Sequence, residues 1–408
     1  MADKVFQLVG SCNNYPWGKK GKESLAVQLH KKTDKDFGIK DDEFYSELWF
    51  GDYPDFPARV KETGELLKDV LDKNKETLLG KKVINDLDGQ LPFLPKILSI
   101  AKALPLQLHP SKELAAKLHK QDPENFTDPN HKPEIAVALG KFEVFAGWKP
   151  LSEIEPLFQL PALQQFVPKS DSASWTDSTL REVTRNILKV DEETSKKVQK
   201  ALLSTPREKL GKAEYILDLL PRLQQQYGDA DPGNLVALTC MNFMTLQAGD
   251  AIYIPADGIH AYLSGDIVEC MARSNNVLNS GFCPPADKNN LDLFADTLTF
   301  KAHSKEDVIL PAKQKSKRTQ VFSPPLSEFD MYKVSFGKGE RNESETVPAH
   351  EGPGVLIVTR GNGRLSAQSE GKEFDLSEGG IFFVAPGVSV DLRPGGGEGL
   401  EVHMAVVV

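Results

Sequence analysis

A chain of 408 residues is longer than one hydrophobic core comfortably organises, so two or three domains are expected. Its 40% hydrophobic and 26% charged content is ordinary for a soluble globular protein. The formal net charge of −9, with no basic block to offset it, argues against nucleic acid as a main partner, and no apolar run approaches the ~20 residues that would span a membrane.

The start, Met-Ala-Asp-Lys-Val-Phe, lacks the long apolar core of a signal peptide, so a cytoplasmic location is expected. From Val5 to Gly51, short apolar segments frame Tyr-Pro-Trp-Gly (15–18) and Glu-Leu-Trp-Phe-Gly (47–51). Aromatics beside glycine suggest strands entering turns, with Trp17 and Trp49 packed on a core. Glu65 to Leu79 has helical spacing, and Phe93 to Ile100 reads as a strand. Cys12, Cys240, Cys270 and Cys283 are scattered without CxxC spacing, which supports neither a disulfide framework nor a cysteine zinc site.

Between Ala103 and His109, Leu104, Leu106 and Leu108 alternate with Pro105, Gln107 and His109. On a strand, this period of two sends three leucines to one face and leaves Gln107 and His109 on the other. Two such polar side chains can converge on a metal ion; a half-exposed strand with a satisfied histidine is the plainer alternative. Pro110 closes the strand, and Ser111 can cap a helix over Lys112–Lys120 that carries Leu114 and Leu118 inward and His119 at the surface. A polar loop then leads to His131-Lys132-Pro133-Glu134, after which Ile135, Val137 and Leu139 alternate with alanines. Lys132 and Glu134 would share the face opposite Ile135 and Val137, and a glutamate on a small-residue face is costly unless paired or bound to a cation.

From Leu151 to the turn Gly-Asp-Ala-Asp-Pro-Gly (228–233), Thr179–Val190, Glu193–Leu203 and Ala213–Gln226 carry apolar residues at helical spacing. This is a helical insert. Beyond it, Gly-Asp-Ala-Ile-Tyr-Ile-Pro-Ala-Asp-Gly-Ile-His-Ala-Tyr (249–262) has the pattern of a strand pair in a small double-sheet barrel, with His260 aimed inside. Lys301–Ser323 is basic and proline-flanked and reads as a linker. Short strands at 354–359, 363–367, 380–385 and 400–408 predict a second jelly roll. Gly380–Gly387 repeats the turn logic of 249–258, but Val388, Ser389 and Val390 follow where a histidine would be needed. No metal is expected there, which leaves His350 and His403 without a ligand role.

Gln107, His109, Glu134 and His260 together supply one amide oxygen, two imidazole nitrogens and one carboxylate. That set suits a single Zn2+ per chain, with room for substrate or water. The residues here carry a resemblance. Leu-Pro-Phe-Leu-Pro-Lys-Ile-Leu-Ser-Ile (91–100), Gln-Leu-His-Pro (107–110), His-Lys-Pro-Glu (131–134) and His-Ala-Tyr-Leu-Ser-Gly-Asp-Ile-Val-Glu-Cys-Met-Ala (260–272) resemble the zinc-dependent type I phosphomannose isomerases, as do the two tryptophan motifs.

The resemblance implies reversible conversion of mannose 6-phosphate and fructose 6-phosphate, supplying GDP-mannose and protein glycosylation, by a cytoplasmic monomer. It also implies a mainly β fold: a cupin-type catalytic domain (1–150 and 234–312), the helical insert (151–233) and a C-terminal jelly roll (313–408). Gln107, His109, Glu134 and His260 would be the zinc ligands, with Lys96 and Glu269 near the active site. Lys132, two residues from Glu134, would face the same cavity as a substrate-binding or proton-transferring group, its pKa lowered by the cation.

One position departs. Where the family carries Val-Val-Arg-Ala-Gly, then Thr-Pro and a lysine, this chain reads Val277-Leu278-Asn279-Ser280-Gly281, and Pro285 replaces the lysine. Asn279 offers neutral hydrogen bonds where an arginine would offer a charged, bidentate partner. Arg273 and Lys288 lie nearby in sequence as possible substitutes. Three readings stand: a working or weakened phosphomannose isomerase, a same-fold enzyme on another sugar or sugar phosphate, and a metal-retaining pseudoenzyme that binds or regulates.

Overall fold

The computed structural model describes residues 2–169, 174–325 and 328–407. One strand of 13 residues, His260–Ala272, serves two sheets. Its first part pairs antiparallel with Phe142–Trp148, placing Ala146 opposite His260. Its second part runs between Phe93–Ile100 and Glu134–Ala138, with Glu269 opposite both Lys96 and Ala136. The change of sheet falls at Gly265 (φ +127°), where a Cβ would lie 2.6 Å from the Lys141 carbonyl oxygen and 2.9 Å from Phe142 Cα. Glycine alone takes that corner without strain.

Leu106–Leu108 lies beside the start of the long strand, Gln107 opposite His260, and on its other edge pairs with Leu278–Gly281, Asn279 opposite Gln107. Ala251–Ile254 closes on Glu134–Ala138. The resulting jelly roll has an inner cluster that includes Leu98, Phe142, Ile252 and Tyr262. Leu106 and Leu108 face the other way, into a core shared with Leu220 of the insert and with Leu235 and Val236 just after it. Leu104 does not share that face; it joins the inner cluster, because residues 103–105 precede the strand and do not keep its alternation.

The insert is helical as its periodicity predicts, with helices at Asp177–Leu188, Glu192–Leu203 and Ile216–Tyr227. In the helix that follows the insert, Gly233–Cys240, every residue is buried. That helix begins in backbone contact with the strand Leu278–Gly281: a Cβ on Gly233 would lie 2.8 Å from Gly281 Cα, and one on Gly281 would lie 2.7 Å from Gly233 Cα. The Lys112–Gln121 helix is capped by Ser111, but His119 is half-buried, its Nδ1 2.6 Å from the Phe126 carbonyl, rather than a free surface group.

A second jelly roll follows. Phe329–Phe336, Leu400–Val407, Ile381–Val384 and the first half of Gly354–Ala367 form the sheet facing the first barrel. Leu48, Ile97, Val137 and Val268 pack there against Val355, Ile357, Phe383 and Ala405. The second half of Gly354–Ala367 passes into an outer sheet with Lys372–Ser377 and Val390–Pro394. The chain's own beginning, Val5–Val9, is hydrogen-bonded into the inner sheet, Val5 opposite Val384. Val408, included in the expected last strand, lies outside the described residues.

Lys301–Ser323 is not a plain linker. Thr319–Phe322 pairs with Phe329–Phe336, and Val321 and Phe322 are buried while Lys313, Lys315 and Lys317 stay exposed. The lysine-rich composition masked two short strands, Lys313–Gln314 at the sheet's edge and Thr319–Phe322 inside it.

Candidate metal centre

His109, Glu134 and His260 converge inside the first barrel, one ligand atom from each lying within 4.8 Å of the others. All three are buried. His109 Nδ1 lies 2.8 Å from the Asn276 carbonyl oxygen and His260 Nδ1 3.0 Å from that of Gly258. A carbonyl accepts only from an N–H, so each ring carries its proton on Nδ1 and presents an Nε2 lone pair inward. Neither Nε2 has a hydrogen-bond partner among the described residues. Burial lowers both imidazole pKa values, that of His260 to about 4, which keeps the rings neutral at ordinary pH.

The carboxylate sharpens the point. Glu134 Oε1 lies 3.1 Å from His109 Nε2, and Oε2 lies 3.7 Å from His260 Nε2. Burial would raise the Glu134 pKa, but the Lys132 ammonium, with Nζ 3.3 Å from Oε1, holds it well below the usual carboxylate range. His109 cannot both be neutral and lend Glu134 a proton. An anionic oxygen facing two inward lone pairs is a repulsive arrangement, and a shared cation resolves it. Gln107, beside His260 on the same face, adds an amide oxygen. The donor set fits zinc.

Around these ligands lies a second layer. Tyr262 donates its hydroxyl proton to Glu134 Oε2 at 3.0 Å, fixing the carboxylate's orientation. Lys96, 5% exposed, lies 3.7 Å from Glu269 Oε2, 3.9 Å from Glu47 Oε2 and 4.3 Å over the Trp49 ring. Trp49 Nε1 donates to the same Glu47 oxygen. Burial opposes charge on Lys96, but Glu47 and Glu269 outweigh it and raise its pKa, so the amine stays cationic. Burial, then repulsion from Glu134, pushes the Glu269 carboxyl up to about 8.

The strand order thus gathers His109, Glu134, His260 and Lys132 at one point, with Gln107 opposite His260 on the neighbouring strand, and sets Lys96 and Glu269 as an adjacent cross-strand pair. His260, Gln107 and Asn279 form a row across three neighbouring strands. Asn279 Oδ1 is buried without a hydrogen-bond partner, while its backbone N–H donates to Asn289 Oδ1 at 2.7 Å. The two cations nearby in sequence are both already paired. Arg273 is bound to Asp52, and Lys288 Nζ is 3.3 Å from Asp231 Oδ1.

Sequence reasoning missed Tyr262, Glu47 and the Asn276 carbonyl. Tyr262 was within reach, since it lies two residues from His260 on one strand and therefore shares its face. Trp49 is buried, as its motif predicts, yet it also bounds Lys96; Trp17 is only half-buried.

A jelly roll holding two imidazoles and a carboxylate at its centre defines a metal-dependent cupin-type protein. Residues 5–151 match the type I phosphomannose isomerase catalytic domain, and residues 348–405 match the AraC-like ligand binding domain. The chain is 34% identical to a mannose-6-phosphate isomerase of Ogataea parapolymorpha, over 96% of this chain and 95% of that protein. It is 34% identical to that of Saccharomyces cerevisiae, over 96% of each. An arginine-to-alanine mutant of phosphomannose isomerase from Salmonella typhimurium superposes with a TM-score of 0.83 at 25% identity, over 99% of this chain and 100% of that one. A zinc-bound mannose 6-phosphate isomerase shares the fold, with a TM-score of 0.82 at 24% identity over 99% of each chain. The chain belongs to the type I phosphomannose isomerase family.

Proposed function

We propose that this protein is a zinc-dependent aldose–ketose isomerase that interconverts mannose 6-phosphate and fructose 6-phosphate. It would act as a cytoplasmic monomer with one zinc ion, supplying GDP-mannose synthesis and protein glycosylation. The observation that carries the reading is the pair of inward Nε2 lone pairs facing an anionic Glu134. When bound, zinc supplies an electrophile for the oxygens on the two carbons between which a proton must move.

The protein's own groups do the rest. A proton leaves C2 of the aldose and returns at C1, which asks for a group that exchanges protons near neutral pH. Glu269, a carboxyl whose burial raises its pKa, is placed for that exchange, with Lys96 beside it as counter-charge and a contact for the substrate's polar end. Lys132, its side chain 14% exposed, reaches the cavity and donates to substrate oxygens or passes the proton between them. Asn279, in a row with Gln107 and His260, has a buried amide oxygen without a partner among the described residues, which would take a hydrogen bond from a substrate hydroxyl if the site opens to it.

Asn279 also favours a second reading, an isomerase of the same fold acting on another sugar phosphate. A panel of aldose 6-phosphates assayed with the zinc-loaded protein separates the two. Formation of fructose 6-phosphate from mannose 6-phosphate as the preferred reaction supports the first. No turnover of mannose 6-phosphate, with turnover of another aldose phosphate, supports the second.

A further inference from the structure

The outer sheet of the second barrel holds an arrangement that isomerisation does not use. Of the 11 arginines in the chain, nine hold a carboxylate or a carbonyl oxygen. Arg341 and Arg393 have no ion-pair or hydrogen-bond partner among the described residues, and both line one open cleft of about 480 Å³. Arg364 lines it too. Arg364 stands directly opposite Arg393 on one neighbouring strand and opposite Asp375 on the other. Like charges directly opposite destabilise a sheet unless something neutralises them. Asp375 Oδ1, 3.6 Å from Arg364 Nε, offsets one guanidinium; its side chain is 91% exposed, so water screens the pair.

The loop after Val390–Pro394 shapes the same cleft. In Pro394-Gly-Gly-Gly-Glu-Gly, a Cβ on Gly396 would lie 2.9 Å from Arg341 Cδ and 3.0 Å from its Cζ, so the missing side chain is what admits Arg341. Gly395 N–H donates to the Asn362 carbonyl at 2.9 Å and fixes the loop on the sheet. Glu398, the loop's one carboxylate, lies 3.9 Å from Lys338.

We propose that Arg341, Arg364 and Arg393 form an anion-binding cleft in the second barrel that takes a phosphorylated small molecule. Three guanidiniums against one carboxylate leave two positive charges, a match for a phosphate monoester dianion held by planar N–H forks. The volume exceeds what a bare phosphate fills and lies in the range of small-molecule sites, so the ligand carries an organic part. A long polyanion would extend over a surface of net charge −9 and be repelled.

Arginine modification by phenylglyoxal, read residue by residue by mass spectrometry on the zinc-loaded full chain, tests the site with ribose 5-phosphate as the probe. Saturating probe should slow modification of Arg341 and Arg393 by about fivefold while leaving exposed Arg207 unchanged, as expected for a mostly occupied site. Arg364→Gln should abolish that protection at both positions, with the isomerase reaction unaffected. No slowing at Arg341 and Arg393, equal slowing at Arg207, or full protection in the Arg364→Gln protein overturns the proposal. None of these outcomes bears on the metal centre.

Discussion

At the scale of single residues, the centre depends on which nitrogen of each histidine carries the proton. The backbone decides this, through the carbonyls of Asn276 and Gly258, and leaves both Nε2 lone pairs for a metal. Glu134 is oriented in turn by Tyr262. Tyr262→Phe removes that hydrogen bond and should weaken zinc binding by roughly 10–100-fold, as loss of a ligand's supporting partner does, measured by competition against a chelator. Unchanged affinity would show that Glu134 needs no such support. Asn279→Arg restores a charged donor in the ligand row and should raise kcat/KM for mannose 6-phosphate by about 10²-fold. A fall in kcat/KM would show the pocket is built around the amide. His109 and Glu134 were legible from strand alternation and His260 from the turn pattern before it, because each signal falls where a strand must turn a polar side chain inward. Glu47 was not, because it reaches the centre only through Lys96, a cross-strand contact that sequence spacing does not reveal.

At the scale of elements, two features seat the site: the corner at Gly265 and the contact between Gly233 and Gly281. The corner lets one strand carry His260 in one sheet and Glu269 in the other. The glycine contact presses a buried helix onto the strand bearing Asn279. Gly281→Ala must push these backbones apart, so unfolding free energy should drop by about 1–3 kcal/mol, the usual cost of overpacking. Because Asn279 and Gln107 move with that strand, kcat should fall in the same variant; a stable, fully active Gly281→Ala protein would contradict the packing described. The insert's helices were legible from a 3.6-residue period that burial of one face enforces. Leu104 and the Thr319–Phe322 strand were not. The first sits where alternation stops, and the second is too short to register against surrounding lysines.

At the scale of the whole molecule, the two barrels share a buried core, and the N-terminal strand belongs to the sheet of the second. His403 lies on that sheet, 2% exposed, with Nε2 unpartnered and Nδ1 3.1 Å from Thr359 Oγ1. Burial lowers its pKa from 6.5 to about 4. Between those values the unfolded chain binds a proton that the folded chain does not, so stability is full above about 6.5 and falls as the pH drops toward 4. His403 alone should contribute a slope of about 1 kcal/mol per pH unit in that window. Denaturant unfolding of wild type and His403→Gln between these pH values checks it; parallel curves would show that His403 does not carry the dependence.

The barrels, the insert and the ligand row converge on one requirement, that a single zinc ion in the first barrel makes the protein an isomerase. Stepwise chelation followed by zinc readdition, with bound zinc and fructose 6-phosphate formation measured on the same samples, tests this directly. Turnover should rise in proportion to zinc and reach its maximum at one ion per chain. Turnover in zinc-free protein, or a fully loaded protein that leaves mannose 6-phosphate unchanged, would contradict it.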